Sequence, residues 1–199
     1  MTPLAQALAQ SQRGRRSTRA LRSMPDAAPD ARNTPDLAEA MHDAVALFRE
    51  LKIGYALIGG LAAMVHGRSR YTEDVDFVAE PDHADIFEAH PDAMRRHGFD
   101  PTCAWKLYHR SEIAIDLWKD RHAAGIVERA VRRKLGKRFV KVAEPHDLIA
   151  MKLRADRPQD DYDIAEIVKA QRIEESVLAE RVTAAQLRKF RKIAKRVES

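Results

Sequence analysis

Two aspartates, one residue apart, stand in an apolar run that is typical of a buried strand. The acids are Asp74 and Asp76, within DVDFVAE. Because side chains of a strand alternate between its faces, both carboxylates point the same way, about 6.6 Å apart along the chain. Two carboxylates so close repel each other, and no Lys or Arg in the next ten residues neutralises them. Aspartate oxygens are ligands of Mg²⁺, so the pair predicts a divalent cation.

A third aspartate stands in another apolar run that reads as a strand. Ile115 and Leu117 share one face by alternation, whereas Asp116 falls on the opposite face. A charge in the middle of an apolar strand is costly unless it is paired or bound to a metal. If the two strands are neighbours, Asp116 completes a three-carboxylate site. The alternative is an ion pair with Arg70 or Arg110, and the nearby aspartate pair favours the metal.

Two glycines mark a turn between a strand and a helix. Gly59 and Gly60 join the apolar run YALIG to the helical segment GLAAMVH. Backbone N–H groups at a helix start lack intrahelical partners, and glycine lets a phosphate approach them. The spacing is not the dinucleotide fingerprint G-x-G-x-x-G, and no G-K-[ST] follows. The sequence therefore predicts a phosphate-binding turn, and a dinucleotide-dependent oxidoreductase is disfavoured.

The order of these motifs resembles a known superfamily. The signature of the polymerase β-like nucleotidyltransferases is similar to GGLAAMVHGRSRYTEDVDF, and the fuller pattern resembles the branch of AbiEii-type nucleotidyltransferases and related toxin proteins. The strand that carries the third carboxylate in that superfamily is similar to AIDLW. A following helical element is similar to EPHDLIAMKLRADRPQDDYDI. The resemblance covers about residues 55–167 and leaves both termini outside it.

The resemblance implies both a fold and a chemistry. The fold is α/β (α+β), with a mixed β-sheet flanked by helices and a C-terminal helical subdomain. The reaction is transfer of a nucleoside monophosphate from an NTP to a hydroxyl group, with Mg²⁺ or Mn²⁺ as cofactor. Gly59 and Gly60 then hold the triphosphate, Asp74 and Asp76 bind metals, and Asp116 binds one metal and helps to activate the attacking hydroxyl.

Four further residues are assigned to nucleotide binding on the same resemblance: Arg70, Thr72, Lys152 and Asp163. Each also has a structural interpretation. Arg70 can pair with Glu73 on the surface, and Thr72 suits the start of a strand. Lys152 can lie at a helix edge with only its stem buried. Asp163 can be a carboxylate near a helix N-terminus.

His66, Trp105 and Trp118 lie near the predicted site and receive structural assignments. His66 follows the short helix, where capping of the helix end is the commoner role than a phosphate contact. Both tryptophans lie on predicted strands, and core packing is favoured over stacking on a base. His109 and His146 have no metal-ligand spacing and are assigned no role.

Periodicity and turn residues predict the elements that position these groups. Thr34 is the expected cap of the first helix and Gly54 its expected end. Helices are predicted over about 35–52, 60–66, 82–97 with a break at Pro91, 121–134, 145–155, 160–170 and 183–197. Strands are predicted over 55–59, 74–80, 102–110, 111–119 and 137–144.

Charge is distributed unevenly along this chain of net charge +5. Residues 71–92 hold eight acids and no Lys or Arg, whereas residues 1–23 hold five arginines and no acid. Residues 119–141 carry nine Lys or Arg against two acids, and residues 181–199 carry seven against one. A cation site beside a polyanion fits this pattern, although solvated helix faces are the plainer interpretation of any one basic run. Within the latter two basic segments, we expect the stretches around Arg129 to Lys141 and Arg188 to Arg196 to contact RNA if RNA is the acceptor.

Length and composition set the organisation. We predict a flexible basic segment over 1–33, a nucleotidyltransferase core over 34–143 and a C-terminal helical subdomain over 144–199. The single cysteine, Cys103, allows no disulfide within the chain and no thiolate zinc cluster. Neither a membrane span nor a signal peptide is predicted, so the expected location is the cytoplasm.

The acceptor of the nucleotide stays open at this stage. An RNA such as tRNA suits the basic segments, and a protein hydroxyl is the other main candidate. A small molecule such as an aminoglycoside antibiotic is cationic and is mildly disfavoured by those segments. The toxin branch implies a cognate antitoxin. The alternative to an enzyme is a non-catalytic antitoxin-like or RNA-binding module, against which the three retained carboxylates argue.

Overall fold

The computed structural model describes residues 37–67, 72, 74–80, 83–102, 106–136 and 138–198. The predicted basic segment 1–33 and the predicted cap Thr34 lie outside these residues. The helices are α1 (Leu37–Glu50), α2 (Gly59–Val65), α3 (His83–Ala89), α4 (Pro91–Arg96), α5 (Ala123–Arg129), α6 (Pro145–Ala155), α7 (Pro158–Ala170), α8 (Glu175–Ala179) and α9 (Ala184–Glu198). The strands are β1 (Tyr55–Ile58), β2 (Val75–Ala79), β3 (Lys106–Tyr108), β4 (Ala114–Trp118), β5 (Val131–Leu135) and β6 (Arg138–Val142).

The six strands form one mixed sheet in the order β3-β4-β2-β1-β6-β5. The pairs β1–β2, β3–β4 and β5–β6 are antiparallel, whereas β2–β4 and β1–β6 are parallel. Parallel neighbours need a connection that crosses back, and helices supply these connections. The predicted fold class, a mixed sheet flanked by helices, is confirmed.

An aromatic cluster joins α1 to one face of the sheet. Phe48 of α1 lies with its ring centroid 5.1 Å from that of Tyr55 and 5.2 Å from that of Phe77. These separations are typical of packed aromatic pairs. Val75 and Phe77 are fully buried, as the alternation of β2 predicts. The core therefore fixes which face of β2 carries Asp76.

The predicted helix over 121–134 is wrong in its second half. The helix ends at Arg129, and β5 begins at Val131 and pairs with β6. The basic residues of this segment suit a helix surface equally well, so periodicity alone does not separate the two states. Gly136, with a φ of 63°, allows the chain to reverse between the two strands. The sequence also misses the short helix α8.

The first helix also ends differently from the prediction. The left-handed conformation that follows α1 falls on Lys52, with a φ of 58°, and not on Gly54. Gly54 instead donates its N–H to Oε2 of Glu80 at 3.0 Å. A Cβ at Gly54 would stand 2.3 Å from that carboxylate, so the glycine permits the close contact.

The C-terminal helices pack on the core and on each other. Helix α6 contacts both α2 and α7, and α9 contacts α7 and α6. The division of the chain at residue 143 stays a prediction. Within the described ranges, no helix combines the length and apolar character that a membrane span needs.

Candidate active site

A cavity of about 450 Å³ opens where β1 ends and α2 begins, next to β2, β4, α6 and α7. It brings together residues from all six of these elements and from the segment before β2. Eight of the nine predicted site residues line it: Gly59, Gly60, Thr72, Asp74, Asp76, Asp116, Lys152 and Asp163. The ninth, Arg70, lies outside the described residues.

Strand register places two of the three carboxylates side by side. Strands β2 and β4 are parallel neighbours, and Asp76 and Asp116 are direct partners in their register. Asp74, immediately before β2, lines the same cavity. A three-carboxylate site requires that the two strands are neighbours and carry their acids on one face. The observed register meets this requirement.

The surroundings of Asp76 disfavour its charge. Burial raises the pKa of Asp76, the hydrogen bond from Trp118 opposes this shift, and the charges of Asp74 and Asp116 add to it. The indole Nε1 of Trp118 donates to Oδ1 of Asp76 at 3.0 Å. A carboxylate held among like charges is the environment that a bound cation relieves.

Asp116 has one cationic neighbour. Lys106 lies opposite it in the β3–β4 register, and its Nζ is 3.1 Å from Oδ1 of Asp116. The hydrogen bond with Asp116 raises the pKa of Lys106. The predicted alternative partner Arg110 instead pairs with Glu39 and Asp43. One lysine does not balance three carboxylates, and its own side chain is 40% exposed.

Gly59 is required where it stands. Its φ is 66°, and a Cβ there would lie 2.0 Å from Oδ2 of Asp76. Gly59 opens α2, whose first turn has no side-chain cap because the preceding residue is Ile58. The glycine turn thus brings uncapped backbone N–H groups next to the aspartates.

The donor set fits Mg²⁺ or Mn²⁺. Three aspartates from adjacent chain segments offer oxygen atoms only, and hard divalent cations of this kind prefer oxygen ligands. The raised pKa of Asp76 and the glycine cradle beside it are the structural features that match such an ion. Asp74, Asp76 and Asp116 are the residues that would hold it.

Lys152 and Asp163 form part of a buried ion cluster in the C-terminal helices. Nζ of Lys152 lies 2.6 Å from Oδ2 of Asp163 and 3.3 Å from Oδ1 of Asp160. All three residues are buried. Lys152 is thus not a helix-edge lysine with an exposed head, and Asp163 stands in the second turn of α7. Their assignment to nucleotide binding stays a prediction.

Sequence reasoning misses several residues that line the cavity. Trp118 is 45% exposed there, so its predicted core packing is wrong, while Trp105 lies outside the described residues. Arg154 also lines the cavity and pairs with Asp120 at 2.9 Å. Arg157 lines it as well and donates to Asp160 from Nε at 2.9 Å. These three positions follow from tertiary packing, which no local pattern encodes.

Lys106 is a further residue that the sequence does not place correctly. The predicted two-residue connection at 110–111 would pair Lys106 with Ile115, whereas the observed register is one residue longer and puts Lys106 across from Asp116. Opposite charges that face each other across a strand pair stabilise it. The predicted turn therefore misses this partner by one residue.

His66 is buried outside the cavity. The imidazole Nε2 donates to the carbonyl oxygen of Ala143 at 2.8 Å, and Nδ1 accepts from the amide of Gln171 at 2.9 Å. Burial lowers the pKa of His66, with Arg133 adding to this shift and the bond to Ala143 opposing it. The histidine therefore ties the end of α2 to the chain after β6, a structural role as predicted.

A second acidic group lies away from the cavity. Ligand atoms of Glu39, Asp43 and His109 lie within 4.8 Å of one another, although sequence spacing gave His109 no metal role. Arg110 donates to both acids, at 2.8 and 2.9 Å, and Nδ1 of His109 lies 2.7 Å from the Ser111 hydroxyl oxygen. The two acids and His109 therefore already have hydrogen-bond partners in Arg110 and Ser111.

Comparison with known proteins gives the class. Residues 38–198 match the family described as "Nucleotidyl transferase of unknown function (DUF2204)", and the chain belongs to this family. It is a nucleotidyltransferase-family protein. No curated protein sequence matches the chain significantly.

Three solved structures resemble the fold. An antigenic nucleotidyltransferase-like protein from Paracoccidioides brasiliensis has 17% identity and a TM-score of 0.44, with 65% of this chain and 73% of that chain covered. The lincosamide antibiotic adenylyltransferase LnuA has 15% identity and a TM-score of 0.48, with 67% and 98% covered. The antibiotic-resistance factor ANT(2'')-Ia has 14% identity and a TM-score of 0.44, with 79% and 90% covered.

Proposed function

We propose that the protein transfers a nucleoside monophosphate from an NTP to a hydroxyl group, with Mg²⁺ or Mn²⁺ held by Asp74, Asp76 and Asp116. The observation that carries the proposal is the register of Asp76 beside Asp116, facing a glycine turn that tolerates no side chain. Membership of a nucleotidyltransferase family supports the reaction class. The EC 2.7.7 type of reaction, the metal and the residue roles belong to the proposal.

The reaction balances as a displacement at phosphorus. The acceptor oxygen forms a bond to the α-phosphorus, the bond from that phosphorus to the bridging oxygen breaks, and pyrophosphate leaves. A divalent cation supplies charge stabilisation for the attacking and leaving oxygens. Asp116 accepts the acceptor's proton, and the backbone N–H groups at Gly59 and Gly60 bind the leaving phosphates. Trp118 holds the orientation of Asp76 through its indole N–H.

Cations from α6 and from the start of α7 line the cavity opposite the carboxylates. Arg157 is nearly half exposed there, and its charge acts on Asp76. Thr72 accepts the N–H of Asp74 at 3.3 Å, which shapes the approach to β2. We assign nucleotide phosphate contacts to Arg70, Thr72 and Lys152, with Asp163 holding the Lys152 ammonium. An NTP then lies between the glycine turn and the helices.

The physiological setting is also part of the proposal. The AbiEii-like pattern of the glycine and aspartate motifs favours a toxin that acts in the cytoplasm and is opposed by a cognate antitoxin. RNA and protein hydroxyls are the acceptors we place first, with an antibiotic as the third class. A polyanionic acceptor agrees best with the charge of the chain.

The deciding experiment incubates the protein with each α-³²P-labelled NTP, Mg²⁺ or Mn²⁺, and either total RNA or a protein extract. We expect one fraction to become labelled, and Asp116→Asn to abolish the labelling. Asp92→Asn is the matched control, because Asp92 is an exposed acid on α4 that pairs with Arg95. Absence of label with every NTP and fraction, together with no melting-temperature shift on adding metal and NTP, would favour the non-catalytic module.

A further inference from the structure

A second cavity, of about 430 Å³, lies at the other end of β1 from the carboxylates. Its wall includes the start of β1, the last residues of β2 and the end of α1. Four cations and one exposed aromatic ring line it: Arg49, Lys52, Arg132, Lys141 and Phe139. We call this set of five residues the basic groove.

The charge of the basic groove is not balanced by carboxylates. Glu80 is the one acid in its lining, and Oε2 of Glu80 accepts the N–H of Gly54. Within the described part of the chain, none of the four cations forms an ion pair. Unpaired cations around a concavity attract polyanions and concentrate them there.

Part of the basic segment of α9 is compensated by carboxylates. Lys189 pairs with Asp156 and Asp161, and Arg191 pairs with Glu175. Arg129, which precedes β5, is likewise engaged by Asp147. Of the two basic segments that the sequence predicts as RNA contacts, the one around β5 and β6 keeps the larger uncompensated charge.

The β5–β6 hairpin arranges its part of the basic groove on one face. Register pairs Arg132 with Lys141 and Lys134 with Phe139, so these four side chains share a face. The Phe139 ring is 51% exposed, and the Arg132 guanidinium carbon lies 5.0 Å from its centroid. Cations beside an exposed aromatic face form the usual platform for single-stranded nucleic acid.

We propose that the basic groove binds single-stranded RNA, with phosphates on the four cations and one base stacked on Phe139. The assignment of this RNA as the acceptor rests on the proposed nucleotidyl transfer, whereas the binding itself does not. Charge complementarity selects a polyanion, and the exposed ring selects one with aromatic bases over an acidic protein.

The distance between the two sites suits one strand of RNA. The four buried residues of β1 separate them by a straight span of about 13 Å, and an RNA strand would pass around the elements that cover β1. Stacked nucleotides advance ~3.4 Å each, so about four is the smallest number that covers this span. A terminal hydroxyl at the carboxylates can thus belong to the same strand whose upstream phosphates lie in the basic groove.

The experiment measures binding without NTP or metal, so that it is independent of catalysis. Fluorescence anisotropy follows a labelled single-stranded RNA against the full chain over a range of salt concentrations. The test variant is Arg132→Gln/Lys141→Gln, and the matched control is Lys169→Gln/Arg172→Gln, two exposed cations outside both basic segments that are expected to contact RNA. Each contact on a single strand contributes about 0.7 to the slope of log K against log salt, so the test variant should lose about 1.4.

Phe139 provides a second variant that leaves the charge unchanged. We expect Phe139→Ser to weaken RNA binding roughly tenfold without changing the salt slope, and Phe139→Tyr to retain affinity. Melting temperature verifies that each variant folds. Equal binding by wild type, the test variant and the control would overturn the proposal, as would preference for poly-glutamate over RNA. A melting-temperature shift with Mg²⁺ and NTP reports the carboxylate site separately, so each proposal can fail alone.

Discussion

The two ends of β1 carry opposite and unbalanced charge. At one end, Asp74, Asp76 and Asp116 lie near Lys106, which is partly exposed, and within the influence of the Arg157 charge. At the other, the basic groove contains four cations without an ion pair among the described residues. Each imbalance costs folding free energy unless a ligand of the opposite charge is bound. Negative charge at one end of β1 suits the proposed metal cation, and positive charge at the other end suits the proposed polyanionic substrate.

Clusters elsewhere in the molecule show the contrast. Arg110 balances Glu39 and Asp43, and Arg129 and Arg181 balance Asp147. Ion groups that satisfy each other hold elements together and need no ligand. Charged side chains that pair with each other therefore have a structural role, whereas the unpaired charges at the two ends of β1 are candidates for ligand binding.

The largest expected effect comes from removing the central carboxylate. Asp76→Asn should lower nucleotide transfer by orders of magnitude, because metal stabilisation of transition-state charge is worth several kcal/mol. Folding should survive and the melting temperature without metal should rise. The pKa of Asp76 is raised in the folded state, so ionisation of Asp76 costs stability as pH increases, and Asn removes that cost.

The measurements are metal-dependent NTP consumption and melting temperature between pH 5 and 8, with Asp92→Asn as control. The gain in stability over wild type should grow with pH and disappear in acid. An Asp76→Asn protein that unfolds, or that transfers at the wild-type rate, would contradict the metal assignment. A gain equal in Asp92→Asn would show that net charge alone is responsible.

The next effect tests the buried ion cluster of Lys152, which lines the carboxylate cavity. Lys152→Met removes the ammonium that Asp160 and Asp163 share, although Arg157 stays paired with Asp160, and should lower the free energy of unfolding by about 3 kcal/mol. Lys169→Met on the neighbouring helix α7 breaks an exposed pair with Glu166 and should cost below about 1 kcal/mol. Urea denaturation compares them. A Lys152→Met protein as stable as wild type would show that this cluster does not hold α6 to α7, and unchanged NTP binding by it would contradict the proposed phosphate contact.

The sequence predicts the carboxylate end of β1 well for a physical reason. The position of a charge within an apolar alternating run, as at Asp76 and Asp116, can be predicted because strand periodicity fixes which face the side chain occupies. The glycine turn can also be predicted from local sequence, since Gly59 stands where only glycine fits. Both signals are local.

The basic end is harder to predict because its residues have no local signature. Arg132 and Lys134 suit a helical surface as well as an exposed strand edge, so local periodicity predicts a helix where β5 stands. Arg49 reaches the basic groove only through the packing of α1 on the sheet. Trp118 and Arg157 enter the carboxylate cavity in the same manner, by tertiary position alone.

A smaller effect concerns the glycine turn. Gly59→Ala places a side chain at a φ of 66° and against Asp76, at a cost of about 1–2 kcal/mol from the backbone alone. NTP-dependent stabilisation should fall along with stability. Gly125→Ala in helix α5 is the control at a helical φ, where alanine should stabilise by less than the roughly 0.5–1 kcal/mol of an open site, because its Cβ would lie 2.9 Å from the Arg129 guanidinium. Stabilisation by both substitutions would mean that Gly59 does not need its left-handed conformation.

The smallest effect concerns His66, a titratable group that belongs to neither end of β1. Its pKa is lowered in the folded state by burial, so below the ordinary value of 6.5 the unfolded chain binds a proton that the folded chain resists. Stability should therefore be constant above that pH and should fall as the pH drops below it. Denaturation midpoints from pH 5 to 8 should show this slope in wild type and in His90→Gln, an exposed control, and a smaller slope in His66→Gln. An unchanged slope in His66→Gln would assign the acid sensitivity to the paired carboxylates, and the charge balance of the compensated clusters would then dominate the pH response.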